Sequence, residues 1–367
     1  MPEASFQPDW FSKPGDTLLT LMEQRELTSE TLARKLGCER SVVQGLLSGA
    51  VAVDDDLAGE LSKHVGGTPS FWRARQAKYL EALSRAARAV PEKNGSEWIN
   101  LFPHRDIANY GWVDRNAKRD ELIRAYLAYF GVSTPEEWRE RYERSMRETA
   151  FRTSPTFSSK VGAISAWLRR GEIEAAAISC AAWHPERLRN SLQEIRVLTK
   201  AKSLAYFLPR VRKFCAEAGV AVVFVRAPSG CRASGATRFI SRNKAMVILS
   251  FRYLSDDHFW FTFFHELGHL LLHKPSMTFV DGEPGISGEL ESEANSFAAD
   301  VLIPPSRRDE LMDLPARREQ IIRYAYSVGV SAGIVVGQMQ HHKVITPKQM
   351  NFLKRRFDWQ DIQGALN

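Results

Sequence analysis

His265-Glu266-Leu267-Gly268-His269, followed downstream by Glu291-Ser292-Glu293-Ala294-Asn295-Ser296-Phe297-Ala298-Ala299-Asp300, decides how this chain is read. Two histidines four apart on a helix lie on one face, one turn apart. Both imidazoles can then reach a single zinc ion, with the intervening glutamate aimed at a water beside it. The run from His258 to His273 lacks proline and is almost wholly apolar outside the motif. Ser255 is placed to cap it, and Asp256 and Asp257 suit its positive end. Such a helix is buried, and burying two imidazoles and a carboxylate is costly unless they are paired or metal-bound. The bare motif arises by chance in on the order of one chain in fifty of this make-up, so its weight rests on its surroundings. The alternative reading makes His265 and His269 hydrogen-bonded core histidines and Glu266 an ordinary helix former.

A second helix, expected over about 288–303, sets carboxylates against an apolar face of Ala294, Phe297, Ala298, Val301 and Leu302 and stops at Pro304-Pro305. Glu293 adjoins that face and is the expected third ligand; Glu291, about 160° round the helix from it, should point elsewhere. Asp300, on nearly the same face as Glu293, is either an outer hydrogen-bond acceptor or a solvated charge. His273 lies about 6 Å beyond His269 and about 12 Å beyond His265 along an unbroken helix, too far to share their metal. A proline stands at 275, where a third histidine would complete a metzincin site, leaving two histidines and one glutamate with a position open to water. Zinc so held activates water and polarises a carbonyl while Glu266 shuttles the proton, which makes peptide hydrolysis the natural reaction. Tyr253, His258 and Arg238 are the candidates for stabilising the oxyanion.

A chain of 367 residues with 44% hydrophobic content has room for two or three domains with proper cores. Its longest apolar stretch is the motif run itself, interrupted by His and Glu, and the start lacks the basic and apolar regions of a signal peptide. Cys38, Cys180, Cys215 and Cys231 are widely spaced without a Cys-x-x-Cys pair, as in a reduced, cytoplasmic protein. A formal net charge of +7 permits contact with nucleic acid without requiring it.

The first ninety residues predict five short helices, at 17–25, 28–36, 39–47, 54–64 and from 68 onward, punctuated by Gly37, Ser48-Gly49, Gly66-Gly67 and Pro69. Two short helices about a glycine turn suggest a helix-turn-helix. Its second helix would aim Arg40, Ser41 and Gln44 at bases, with Arg34 and Lys35 set for phosphates. A helical protein-binding module is the alternative, because Glu39 at that helix start would repel phosphate.

Residues 17–83, with Leu32-Ala33-Arg34-Lys35-Leu36-Gly37, Leu46-Leu47-Ser48-Gly49 and Phe71-Trp72-Arg73-Ala74-Arg75-Gln76, resemble the XRE-type helix-turn-helix domain of HigA-like antitoxins. Residues 219–305, with Ser234-Gly235-Ala236-Thr237-Arg238, Phe259-Trp260-Phe261-Thr262, the His-Glu-x-x-His and Glu293-Ala294-Asn295-Ser296-Phe297-Ala298, resemble the ImmA/IrrE metallopeptidase family. The second resemblance implies a cytosolic zinc enzyme of stress-response or mobile loci that cleaves a helix-turn-helix repressor. It also implies His265, His269 and Glu293 as ligands and Glu266 as the catalytic carboxylate. Where many XRE domains grip phosphate with a glutamine at the start of the second helix, this chain has Ser29.

Between these parts, 97–103 and 109–115 read as aromatic turns, 119–130 and 134–146 as charged amphipathic helices, and 161–218 as a further helical set. Trp98, Trp112, Trp138, Trp167 and Trp183 read as core. Strands are expected at 219–225 and 245–249, forming a small sheet against the zinc helices. Helices are expected at 317–328, 331–341 and 347–357, with Lys354-Arg355-Arg356 a solvated helix end. The expected class is mainly α with a small β-sheet (α+β). It comprises an XRE-type domain at 1–90, a helical region at 91–200, a zincin-like metallopeptidase core at 201–310 and a helical extension at 311–367. Its expected partners are a protein substrate, a helix-turn-helix repressor above all, and DNA through the N-terminal domain; no membrane is expected, and a homodimer is allowed. The competing reading is an antitoxin-like transcriptional regulator whose zinc fold senses or scaffolds.

Overall fold

The structure, a computed structural model, describes residues 12–115, 117–144, 155–273, 279–280 and 288–366. It is mostly helical with one small sheet, the α+β class expected. The chain groups into two compact units, the first running to Ile178 with Pro228–Cys231 and the second holding Ser179–Ala227 and everything from Arg232 on. The four segments drawn from sequence therefore regroup: the middle helices up to 178 join the N-terminal ones, and 179–200 and the C-terminal extension join the sheet.

The first unit begins with α1 (Pro14–Gln24), α2 (Ser29–Leu36), α3 (Arg40–Ser48), α4 (Asp55–His64) and α5 (Pro69–Ala89). Local chemistry sets these bounds. Thr28, Asp54 and Thr68 accept hydrogen bonds from the amides of Thr31, Leu57 and Phe71, and Gly37 (φ 63°) and Gly49 (φ 82°) end α2 and α3 in the left-handed conformation. Leu18, Leu32, Val43, Leu61 and Trp72 close the core between them. The turns expected at 97–103 and 109–115 hold over 100–103 and 110–115, each preceded by a short helix that sequence did not announce, α6 (Glu92–Ile99) and α7 (His104–Asn109). Trp98 is core, as expected: it is fully buried, edge-on to Phe102 at 5.4 Å and to Trp138 at 6.2 Å. After α8 (Arg119–Phe130), α9 (Pro135–Trp138) widens into a π-helical turn, Arg139–Arg144; the end of the helix expected to 146 lies outside the described residues. A long helix, Pro155–Ala176, packs on α3, and just past its end Ser29 Oγ donates to the carbonyl of Ala177 at 3.1 Å.

The second unit is built on β1 (Val220–Phe224), β2 (Gly235–Ser241), β3 (Lys244–Leu249) and the two-residue β4 (Phe279–Val280), in the order β1-β3-β2-β4. β1 and β3 pair in parallel with Val222 opposite Val247, whereas β2 runs antiparallel to β3 and to β4. β1 and β3 stand where sequence put strands. β2 was not anticipated, because its residues alternate too weakly in polarity to announce a strand.

Asp256–Leu272, the motif helix, packs against β2 and β3, against Gly288–Leu302 and against Ala332–His341. Its amino end is fastened by residues far along the chain. Asp256 accepts from Ser331 Oγ at 2.8 Å and from the Arg355 amide at 3.0 Å, and Asp257 meets Lys354 Nζ at 2.6 Å with both side chains 7% exposed. Lys354-Arg355 is thus not a solvated helix end: the helix expected at 347–357 is replaced by a short turn, Asn351–Leu353, and Arg355 donates to the carbonyls of Thr199, Lys200 and Ala201. The carboxyl ends are tied by the helix Pro185–Val197. Arg189 donates to the Leu271 carbonyl and Arg196 to the Leu302 carbonyl, each at 3.0 Å, so last-turn acceptors of both site helices are satisfied by guanidinium groups.

Candidate metal centre

The motif helix buries the polar residues of its motif, the two histidines toward Glu291 of Gly288–Leu302 and Glu266 toward β2. His265 is 3% exposed, Glu266 0% and His269 1%. Gly268 lets the two helices approach: a Cβ there would stand 3.1 Å from Phe297 Cδ1 and 3.2 Å from Ala294 Cα.

Among the described residues, His265, His269 and Glu291 bring ligand atoms within 4.8 Å of one another. The two Nε2 atoms are 3.0 Å apart, and the Glu291 carboxylate lies 3.3 Å from His265 Nε2 and 3.4 Å from His269 Nε2. Tetrahedral zinc with bonds of about 2.0–2.2 Å separates its ligand atoms by about 3.3 Å, so the triangle has the size zinc requires. The outer nitrogens fit as well. His265 Nδ1 meets Asn295 Oδ1 at 3.0 Å, which places its proton there and turns the Nε2 lone pair toward the other two groups.

The third carboxylate is Glu291 and not Glu293, which corrects the assignment made from sequence. Ala294, Ala298 and Leu302 are the buried residues of this helix. At about 100° per residue, that stripe passes through 291 and Asn295, whereas 293 falls on the flank with Phe297 and Asp300. The apolar face drawn from sequence, Ala294, Phe297, Ala298, Val301 and Leu302, is wider than the buried stripe, and the narrower alanine stripe was the available signal. Glu293 bonds instead to His273 Nε2 at 3.0 Å, and Asp300 is exposed and paired with Arg308. His273 lies at the carboxyl cap of the motif helix and outside the triangle, as helix length required.

Burial alone would raise the Glu291 carboxyl, but its hydrogen bonds with His265 and His269 outweigh that and lower it to about 2, so it is ionised. Burial pushes His269 below the usual imidazole range, toward the neutral form a metal ligand needs. Glu266 stands beside the triangle against β2. A Cβ at Gly235 would come within 2.5 Å of Glu266 Oε1 and 2.8 Å of its Cγ, so the glycine leaves the space this carboxylate fills. Thr237 Oγ1 donates to the Glu266 carbonyl at 3.3 Å. Gly235 and Thr237 stand in the stretch 234–238 that carried the resemblance, but neither was expected in this role from sequence.

Of the oxyanion candidates, Tyr253 and His258 pack against one another with ring centres 4.2 Å apart and planes tilted by 30°, and Arg238 is half-buried on β2. His258 lies seven residues before His265, about 10 Å along the helix axis. In the first unit, Arg34 and Lys35 are exposed on α2, Gln44 is half-buried on α3, and Arg40 is held by Glu30 at 2.9 Å. The side chain of Ser41, like Pro275, lies outside the described residues.

The family model for the IrrE N-terminal-like domain, peptidase family M78, matches residues 215–336, about a third of the chain. That span contains the sheet, both site helices and every atom of the triangle, and the match fits a zinc-dependent peptidase. No curated protein and no solved structure matched the chain. No described helix is long and apolar enough to cross a membrane.

Proposed function

We propose that this protein is a cytosolic zinc-dependent endopeptidase that cuts a helix-turn-helix repressor or similar regulator. The observation that carries the reading is the convergence of two buried imidazoles and an ionised carboxylate beside a second buried carboxylate, Glu266. His265, His269 and Glu291 would hold the metal. Bound zinc supplies Lewis acidity toward a peptide carbonyl and lowers the pKa of a water. Glu266 accepts the proton of the attacking water and delivers it to the amine as the carbon–nitrogen bond breaks.

The bundle α1–α5 serves this reading as the module that brings the enzyme to its target. Arg34 and Lys35 suit phosphates, but Ser29 is fully buried and bonded to Ala177, and Arg40 is engaged by Glu30. A protein partner at this bundle is favoured by those two engagements, with DNA contact left to the exposed basic pair.

Glu266→Gln tests the reading. Newly formed protein N termini are compared between cells expressing the wild type and the variant, and zinc is measured on both purified proteins. The variant is expected to keep its zinc and to cleave about 10²- to 10⁴-fold more slowly. Identical sets of N termini would instead favour a regulator whose metallopeptidase fold only senses or scaffolds, and a wild type without zinc would remove the ligand set.

A further inference from the structure

The reaction just described leaves a buried histidine without a task. At its carboxyl end the motif helix breaks at His273 (φ −113°, ψ 170°), and that ring turns back onto His269, with ring centres 5.1 Å apart. His269 Nδ1 meets His273 Nδ1 at 3.0 Å, and His273 Nε2 meets Glu293 Oε2 at 3.0 Å. The His273 side chain is 3% exposed, whereas that of Glu293 is 52% exposed.

We propose that His273 and Glu293 form a positioning pair that fixes the tautomer and ring orientation of His269 for zinc, resting on the metal site described above. The donor logic runs in one direction. A carboxylate only accepts, so His273 Nε2 carries a proton and donates it to Glu293. In a neutral His273 the Nδ1 is then an acceptor, so His269 Nδ1 must donate. That leaves the His269 Nε2 lone pair on the side of Glu291 and His265. An imidazole oriented by a hydrogen-bonded partner is held in its ligating pose and is a more basic ligand.

The same helix performs the task for both histidines. Gly288–Leu302 carries Glu291 into the triangle, places Asn295 on His265 and places Glu293 on His273. Asn295 reaches its histidine directly, while the second imidazole, one turn further along, is reached through His273. Glu293 therefore belongs to the site without touching the metal.

The test measures zinc affinity of the full chain by competition with a chromophoric chelator, zinc alone being the probe. His273→Ala is expected to weaken zinc about 10- to 100-fold, and Glu293→Gln about 10-fold. His273→Gln is the conservative rescue, since its amide oxygen can accept from His269 Nδ1 and its amide nitrogen can donate to Glu293; it is expected to recover most of the loss. The visible spectrum of the cobalt(II)-substituted protein should shift in His273→Ala and return toward wild type in His273→Gln. Because Glu293 is half-exposed, Glu293→Gln should leave the melting of the metal-free protein unchanged. Zinc affinity within about twofold of wild type in His273→Ala, or a glutamine no better than alanine, overturns the pair while the metal site stands. A wild type that binds zinc no better than His269→Ala overturns the metal site itself, and the pair with it.

Discussion

The motif side chains of Asp256–Leu272 and Glu291 of Gly288–Leu302 turn inward, whereas the basic side chains of α2 and α3 reach solvent. His265, Glu266 and His269 are almost wholly buried; the two histidines converge with Glu291, and Glu266 fills the space that Gly235 leaves. Arg34 and Lys35 face solvent, and Arg40 and Glu30 form a pair with side chains 27% and 54% exposed. A buried polar group must be satisfied by the protein or a ligand, so its presence constrains what surrounds it. An exposed charge is satisfied by water and constrains little. Motif residues are therefore highly informative at the first helix pair and much less so at the second.

The largest expected effect lies inside the triangle. Glu291→Ala removes a carboxylate that both imidazoles face, and should weaken zinc by more than the roughly 10- to 100-fold that loss of an outer hydrogen-bond partner costs. Glu293→Ala should stay within that outer range. Chelator competition on the two variants decides the matter. If Glu293→Ala proves the more damaging, Glu293 regains the ligand role and the inward face of this helix has been misidentified.

A smaller effect, in stability, is expected where the motif helix begins. Lys354 and Asp257 form a buried ion pair at 2.6 Å, and Lys354→Met would leave the carboxylate uncompensated at a cost of about 3–5 kcal/mol. Burial alone would raise the Asp257 carboxyl, yet Lys354 and Ser255 outweigh it and hold it below the ordinary aspartate range. The folded pKa lies below the unfolded one, so the pair's stabilisation is present above about pH 3.9 and is lost as pH falls through the folded value. Lys354→Met reverses the sign, because a buried, unpaired Asp257 favours its neutral form. Melting curves across pH should thus show the deficit of this variant shrinking toward acid. A deficit independent of pH, or one absent at neutral pH, would mean that the pair does not fasten the helix.

These outcomes bear on how far the amino acids announce the molecule. The motif helix was legible because imidazoles and carboxylates interrupt an otherwise apolar run, and the stops at Gly37 and Ser48-Gly49 and the start at Pro69 made the first helices legible. Where burial is decided by distant partners, the local sequence misleads. Lys354 looked solvated because Asp257 lies almost a hundred residues earlier. Glu291 and Glu293 were confused because a helical stripe two alanines wide separates their faces by less contrast than a bulky apolar side chain would give. For Lys354 the missing information was tertiary, and no local propensity contains it; for Glu291 it lay in the alanine stripe, a weak local signal.

The smallest expected effect is at the outward-facing pair. Arg40→Ala breaks a partly exposed ion pair with Glu30, which ordinarily contributes about 0–1 kcal/mol, so melting should barely change. If Glu30 keeps Arg40 from bases, any binding of promoter DNA at ~50 mM salt should also be little altered, whereas joint loss of Arg34 and Lys35 should weaken it and reduce its salt dependence. A tenfold or greater loss of DNA affinity in Arg40→Ala, with melting unchanged, would show that the arginine leaves Glu30 for the duplex. The outward face would then be as specific in its contacts as the inward one, and the contrast between the two helix pairs would be one of burial alone.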